Sequence, residues 1–315
     1  MSAHSYTVAF LAGDGVGPEV TAEASRALAA VARLHHFRLD EVHLPFGGDA
    51  VRRFGHPLPI ETRQACREAD AVLVALTREP ALEGVKADLD LVVRVTSVRV
   101  VPADDLTIVS PLAAEAEKAA VERAFRIALA RRGRVTSVGT DERWRRLVDS
   151  AAESCDGIDV EHLALERALP LVAASPAGFD VIVTERLFAE ALSRIAAFGR
   201  EDACLTASGR LAVSGPSIFG PTHGSALDIA GQGVANPSAM LLAASLMLAE
   251  GFGERAAAET LERAVAAALE AGVRTADLVL TGAAATTREF MDVLLATLPA
   301  ARRDTEFFFE PGYVR

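Results

Sequence analysis

Apolar positions along this chain follow two alternating patterns. Short runs of β-compatible residues are separated by longer stretches in which apolar residues recur at helical spacing. Residues 8–12 form the first run. It ends in Gly13-Asp14-Gly15-Val16-Gly17-Pro18-Glu19, and an alanine-rich stretch over 20–34 follows. Pro18 sits where a first helical turn tolerates it, so the order is strand, glycine turn, helix. The same reading predicts strands over 39–44, 71–76, 89–101, 106–109, 134–138, 159–163 and 180–184. Helices are predicted over 59–68, 115–132, 141–154, 185–197, 238–250, 254–271 and 286–298, the second of these closed by Gly133 as a C-cap. Strands alternating with helices imply an α/β fold whose parallel sheet is covered on its faces. No internal repeat or low-complexity linker is visible, and composition marks no domain boundary.

Length and charge narrow the possibilities. A chain of 315 residues is long enough for two modest domains or one large one. The net charge is -11 and no basic stripe with interleaved aromatics appears, which argues against nucleic acid as a partner. Cys66, Cys155 and Cys204 lie far apart, with no metal, redox or disulfide spacing. The polar N-terminus lacks a signal-peptide pattern. The longest apolar run, 239–249, stops at Glu250 and is too short to span a bilayer. A cytoplasmic protein with no membrane partner is expected. No serine-nucleophile, H-E-x-x-H or P-loop pattern is present. His4, His35, His36, His43, His56 and His162 are scattered, and surface or core-edge roles are expected for them. Trp144, among Arg143, Arg145 and Arg146, is read as part of a solvated helix face.

Two segments are more specific. The first is Phe10-Leu11-Ala12-Gly13-Asp14-Gly15-Val16-Gly17-Pro18-Glu19-Val20. The second is His223-Gly224-Ser225-Ala226-Leu227-Asp228-Ile229-Ala230-Gly231-Gln232-Gly233-Val234-Ala235-Asn236-Pro237. The first resembles the opening strand and turn of the isocitrate/isopropylmalate dehydrogenase family. The second is similar over its whole length to that family's adenosine-binding loop. Weaker matches at Phe46-Gly47-Gly48, 134–138, Glu161-His162, 179–188 and 274–278 make the resemblance collinear with nearly the whole chain, and nearest to 3-isopropylmalate dehydrogenase. It implies a two-domain isopropylmalate dehydrogenase-like fold, with mainly parallel sheets flanked by helices and no Rossmann fingerprint. By this analogy residues 1–98 and 212–315 form the first domain, which carries the cofactor loop. Residues 99–211 form the second, with a shortened arm after Ser110-Pro111-Leu112.

The resemblance assigns roles residue by residue. His223, Gly224, Ser225, Ala226, Asp228, Ile229 and Asn236 would bind NAD. The Asp228 carboxylate would accept from both ribose hydroxyls, and His223 and Asn236 would frame the adenine. Asp228-Ile229 is the pair that NAD-using members carry. A 2'-phosphate would meet a like charge there, which disfavours NADP.

The family's reaction centre needs arginines that fork onto carboxylates, a divalent metal held by aspartates, and a lysine and a tyrosine that move protons. In this chain the clamp positions read Lys86, Thr96 and Ser110. The lysine position reads Thr140, the tyrosine has no counterpart, and the metal aspartates read Glu166, Glu190 and Arg194. The departures concentrate at the reaction centre while the cofactor loop is kept.

The expectation is therefore an NAD-binding protein with a rebuilt substrate site. Lys86, Glu166 and Glu190 are its candidate polar catalytic groups, and magnesium or manganese is not expected. Arg194 would sit beside Glu190, one helical turn on, and neutralise it in place of a cation; an ordinary exposed ion pair is the plainer alternative. Arg94 and Arg99 are possible replacements for the lost clamp, but their spacing puts them on opposite faces of a strand. Two rival readings are a catalytically silent binding or regulatory subunit of a hetero-oligomer, and a divergent NAD-dependent 2-hydroxy acid dehydrogenase. A homodimer is expected, paired through the helices that begin near Asp141 and Glu185.

Overall fold

The computed structural model describes residues 4–75, 81–100, 105–197, 204–279 and 282–298. Ten strands form one sheet: β1 (Ser5–Leu11), β2 (Arg38–Leu44), β3 (Ala71–Val74), β4 (Leu91–Val100), β5 (Leu106–Pro111), β6 (Arg134–Val138), β7 (Asp159–Leu163), β8 (Val181–Thr184), β9 (Cys204–Ala212) and β10 (Ser217–Pro221). Their order is β2-β1-β3-β10-β9-β4-β5-β8-β6-β7. The two flanks are parallel, as the alternation of strands and helices requires. The centre departs from that expectation, because β10 pairs with β9, β9 with β4 and β4 with β5 in antiparallel fashion. The expected domain boundaries fall inside β4 and β9, the two strands that cross this centre.

The helices are α1 (Gly17–Leu34), α2 (Gly48–Phe54), α3 (Ile60–Glu68), α4 (Ala81–Ala87), α5 (Glu117–Leu129), α6 (Glu142–Glu153), α7 (Leu165–Ala174), α8 (Arg186–Ala197), α9 (Ser238–Leu246), α10 (Arg255–Glu270) and α11 (Thr287–Thr297). The predicted helix over 238–250 is split, since its last turn widens into a π-turn at Met247–Phe252. Three helices, α2, α4 and α7, and two strands, β9 and β10, were not legible in the periodicity. In α7 the reason is Pro170 in its interior, which breaks a helical pattern on paper. In β9 it is Gly209, whose missing side chain interrupts the alternation. Among the described residues no helix is long and apolar enough to cross a membrane.

The two faces of the sheet are covered differently. One carries a single continuous core in which Phe10, Leu73, Val95, Val109, Val183 and Phe219 meet side chains of α1, α5, α6, α9, α10 and α11. The other carries two separate clusters. Leu11, Val72, Val74 and Ile218 pack with Leu82 and Val85 of α4. Val98, Ile108 and Ile182 pack with Val172 of α7 and Leu192 of α8. Side chains alternate along a strand, and on the same face as these two clusters, between them, lie Arg94 and Thr96 of β4 and Thr206, Ser208 and Arg210 of β9. The interruption of the apolar surface is thus written into two strands.

A buried ionic cluster fixes the second half of the sheet. Asp180, fully buried before β8, accepts from Arg131 Nε at 2.8 Å, Arg132 N at 3.1 Å and Arg134 N at 3.2 Å. Arg131 also reaches Asp105 at 3.0 Å. Burial works to raise the Asp105 carboxyl, but the charge and hydrogen bonds of Arg131 hold it below its ordinary range.

Removing one member of a buried pair strands the other, at a cost of about 3–5 kcal/mol. Arg131→Ala is expected to lose stability of that size in urea unfolding at pH 7. Because the folded Asp105 carboxyl is depressed, its contribution is complete above about pH 4 and is lost as the pH falls through its folded value. The gap between wild type and Arg131→Ala should therefore narrow on acidification; a gap independent of pH would refute this account.

Candidate active site

Loop 223–236, the candidate cofactor loop, lies on the first glycine turn. Gly15 has φ +62°, and a Cβ built there would stand 1.7 Å from the Ser225 carbonyl oxygen. Val16 N donates to that same oxygen at 2.9 Å. Glu19 in the first turn of α1 accepts from Gly231 N, and Asp14 accepts from Gly48 N at 2.7 Å, drawing the start of α2 to the turn. Loop 223–236 is therefore pinned at two points to the first strand–helix connection. Ala226 has φ +41°, a left-handed conformation that costs an alanine roughly 1–2 kcal/mol. The carbonyl of Ala226 accepts from Ile229 N at 3.3 Å, and Ile229 in turn accepts from Gln232 N at 3.2 Å.

Within this loop, several polar atoms have no partner among the described residues. Asp228 is exposed, and its carboxylate has no partner among the described residues; only its carbonyl is engaged, by Gln232 Nε2 at 2.8 Å. His223 Nδ1 contacts the Gly224 carbonyl at 3.0 Å, while its Nε2 is buried without a hydrogen-bond partner. Asn236 is partly engaged. It donates to Asp277 at 3.0 Å and accepts from Ser238 N at 2.9 Å, which leaves one amide hydrogen. Gly224, Gly231 and Gly233 have open space where a side chain would go. Ser225, Ala226 and Ile229 are half-buried against the turn.

The polar gap in the sheet begins where this loop departs. Pro221, the last residue of β10, is opposite Ala207. Gly220 is opposite Ser208, and Ser208 is opposite Thr96. One row further along, Arg94 of β4 is the register partner of Arg210 on one side and of Ser110 on the other. Thr184 ends β8 one residue beyond the paired Val109 and Val183. It points to the same face, is fully buried, and its Oγ1 has no hydrogen-bond partner. Arg94 Nη1 donates to Glu190 of α8 at 3.2 Å, while its Nε is buried and unpartnered. A buried donor or acceptor left unmade costs about 1–3 kcal/mol, which makes two such groups in one row a feature to explain. Like charges directly opposite across a pair of strands are likewise unfavourable.

The candidate polar groups are not joined to each other. Lys86, on α4, pairs with Glu83. Glu190 lies between Arg94 and Arg194, the latter at 2.9 Å. Arg194 does stand beside Glu190, and both side chains are more than half exposed, so their pair by itself contributes only a few tenths of a kcal/mol. Glu166, exposed in the first turn of α7, touches neither Lys86 nor Glu190. Thr96 and Ser110 are buried floor residues. Thr140 donates through its backbone N–H to Glu185 at 2.6 Å. It lines a cavity of about 220 Å³ with Gly139, Trp144, Arg145 and His162. Trp144 is buried rather than solvated: its ring fills the space beside Gly139, and its Nε1 donates to Ser137 at 3.2 Å. Arg94 and Arg99 do lie on opposite faces, since Arg99 reaches Glu262 of α10 at 3.1 Å.

Sequence reasoning passed over Arg210. The signal was there in the alternation Thr206, Ser208, Arg210 against Leu205, Ala207, Leu211, but Gly209 obscured the strand that would have given it meaning.

Comparison with known proteins agrees with the fold. The family described as isocitrate/isopropylmalate dehydrogenase matches residues 7–101 and 97–294. The 3-isopropylmalate dehydrogenase of a Synechococcus strain is 35% identical over 338 positions, covering 88% of this chain and 94% of that protein. The Streptococcus pneumoniae enzyme of the same name is 33% identical, covering 91% and 98%. The apo crystal structure of a beta-decarboxylating dehydrogenase from Thermococcus kodakarensis superposes with a TM-score of 0.79 at 26% identity. It covers 92% of this chain and 95% of that one.

Gly15→Ala should displace loop 223–236. The left-handed backbone and the lost bond to Ser225 together are expected to cost about 2–3 kcal/mol. Limited proteolysis should cut the loop faster in the variant, and unchanged cleavage together with unchanged stability would show that the contact does not hold the loop.

Proposed function

We infer that this chain, which belongs to the isocitrate/isopropylmalate dehydrogenase family, binds NAD on loop 223–236 and acts on a small substrate at a rebuilt site beside it. The observation that carries this reading is the Asp228 carboxylate, exposed and unpartnered on a loop otherwise tied down at Val16 and Glu19. A carboxylate presented in this way suits a pair of ribose hydroxyls and repels a 2'-phosphate. His223 Nε2, which lacks a partner, and the remaining amide hydrogen of Asn236 would meet the adenine in this reading. NAD, when bound, supplies a hydride acceptor; the chain supplies the anchoring.

Divalent metal does not fit the residues present. Magnesium wants several oxygen ligands in near-octahedral array. Glu190 is held between two guanidiniums, so its charge is already met, and Glu166 is not beside it within one copy of the chain. Whatever reaction occurs is read here as one that does without the family's metal, lysine and tyrosine. Lys86, Glu166 and Glu190 remain candidates for polar roles in it.

A second reading, a silent subunit, is favoured by the way Glu190 is occupied by Arg94 and Arg194. Leu187 of α8 is 72% exposed and Leu171 of α7 is 43% exposed. These apolar side chains on two packed helices support pairing with another subunit, a second copy in the first instance.

Calorimetric titration with NAD tests the first reading. Micromolar binding is expected. It should be lost in Asp228→Ala, and NADP should bind at least about tenfold more weakly, a difference of ~1.4 kcal/mol. Absence of binding at millimolar NAD would leave the loop a structural cap and move the balance to the silent subunit. In the same instrument magnesium chloride should show no binding below the millimolar range, and tight magnesium binding would sink the metal-free reading.

A further inference from the structure

On the face of the sheet opposite α7 and α8, a groove of about 470 Å³ runs between α5 and α6. It shares no residue with loop 223–236 or with the polar row of β4 and β9. Residues four apart share a helix face, and the groove is lined by such rows. Val121, Phe125 and Leu129 come from α5, and Leu147, Ala151 and Cys155 from α6 and its end. Val121 and Phe125 are buried, whereas Leu129 at the end of its row is 53% exposed. A neighbouring row on α5, Lys118, Glu122 and Arg126, forms one rim, and Ser150 and Ser154 form the other. An apolar floor with a few polar groups at its edge is the build of a small-molecule site.

We propose that this groove binds an unbranched medium-chain carboxylate, with the alkyl chain along the floor and the carboxylate at Arg126. Three observations carry the assignment. The first is charge. Arg126 is exposed and makes no ion pair or hydrogen bond among the described residues, while Glu122 on the same rim is already met by Lys118 at 3.7 Å. The rim therefore offers an uncommitted cation on a chain whose net charge is -11. The second is shape. From Val121 to Leu129 the helix rises about 12 Å, so the floor is elongated and suits an extended alkyl chain. The third is size. The volume falls within the range of about 300–1,000 Å³ that small-molecule sites occupy. Contact with Phe125, Leu147 and Leu129 supplies the affinity, and Arg126, a planar fork matched to a carboxylate, selects the charge. The site stands apart from the NAD reading and does not depend on it.

Calorimetric titration of the whole protein with hexanoate, octanoate and decanoate tests the site, with decyltrimethylammonium as the ligand of opposite charge. Each two added methylenes are expected to tighten binding by at least about fivefold, as burial of alkyl surface implies. Decanoate should also slow the alkylation of Cys155 by iodoacetamide several-fold. Mass spectrometry of the peptide that carries Cys155 keeps the other two thiols out of that reading. Arg126→Glu, a change at an exposed position that leaves the core untouched, should weaken decanoate by at least about fivefold and tighten decyltrimethylammonium, because the charge at the rim is reversed. Ala151→Phe, which fills the floor, should remove binding of both. Equal affinity of wild type for decanoate and decyltrimethylammonium, no response to chain length, or unprotected Cys155 at saturating decanoate would each overturn the proposal. So would decanoate binding that survives Arg126→Glu unchanged, since the acid would then sit elsewhere. A wild-type dimer that Leu129→Asp dissociates in sedimentation, with no decanoate bound, would assign the groove to a second copy of the chain and overturn it as well.

Discussion

The antiparallel pairing of β4 with β9 is the constraint on which the rest of the molecule depends. It is the seam where the sheet built around β1 and β3 meets the sheet built around β5, β8 and β6. Its register puts Arg94 opposite Arg210 and Thr96 opposite Ser208. A slip by one residue would turn Arg94 into the continuous core and Val95 out of it. Gly209 helps to hold the register, because a side chain there would stand 2.9 Å from the Phe219 ring, with Leu246 close behind. Bare backbone at that one position lets β9 lie close beneath Phe219 on the apolar face while its neighbours keep their polar side chains on the other.

That difference between the faces produces the polar row described above. On one face apolar side chains run without interruption across the seam, and they supply the cohesion that a chain of this size needs. On the other the apolar surface stops at α4 and resumes at α8. Arginines and hydroxyls in this row interrupt the apolar surface, because burying such groups without partners is costly. The polar row exists because hydrophobic side chains are withheld from Arg94 and Thr96 of β4 and from Thr206, Ser208 and Arg210 of β9.

A second constraint joins the beginning of the chain to its last third. The Ser225 carbonyl sits so close to Gly15 that only glycine fits there, and Val16 hydrogen-bonds to the same oxygen. Loop 223–236 therefore takes its position from the first strand–helix connection rather than from its own packing. Its glycines at 224, 231 and 233 stay clear of neighbours, and Asp228 stays free to meet a ligand. Binding residues on an otherwise irregular segment become precise because a rigid scaffold holds the segment at two points.

The sequence by itself determined what is local. Helical spacing, strand runs and the glycine turn gave most elements of the α/β fold. The contiguous motif from His223 to Pro237 marked the candidate cofactor loop through its resemblance, because its residues are neighbours along the chain. Substitutions at positions 96, 110, 140 and 194 were legible for the same reason, as departures from a pattern. The antiparallel seam, the split of one face into two clusters and the meeting of Arg94 with Arg210 and Glu190 were decided only by tertiary structure. Those residues lie far apart in the sequence, and β9 was hidden by Gly209. Which side chains share a row of a sheet depends on strand order and register, and no local periodicity encodes either.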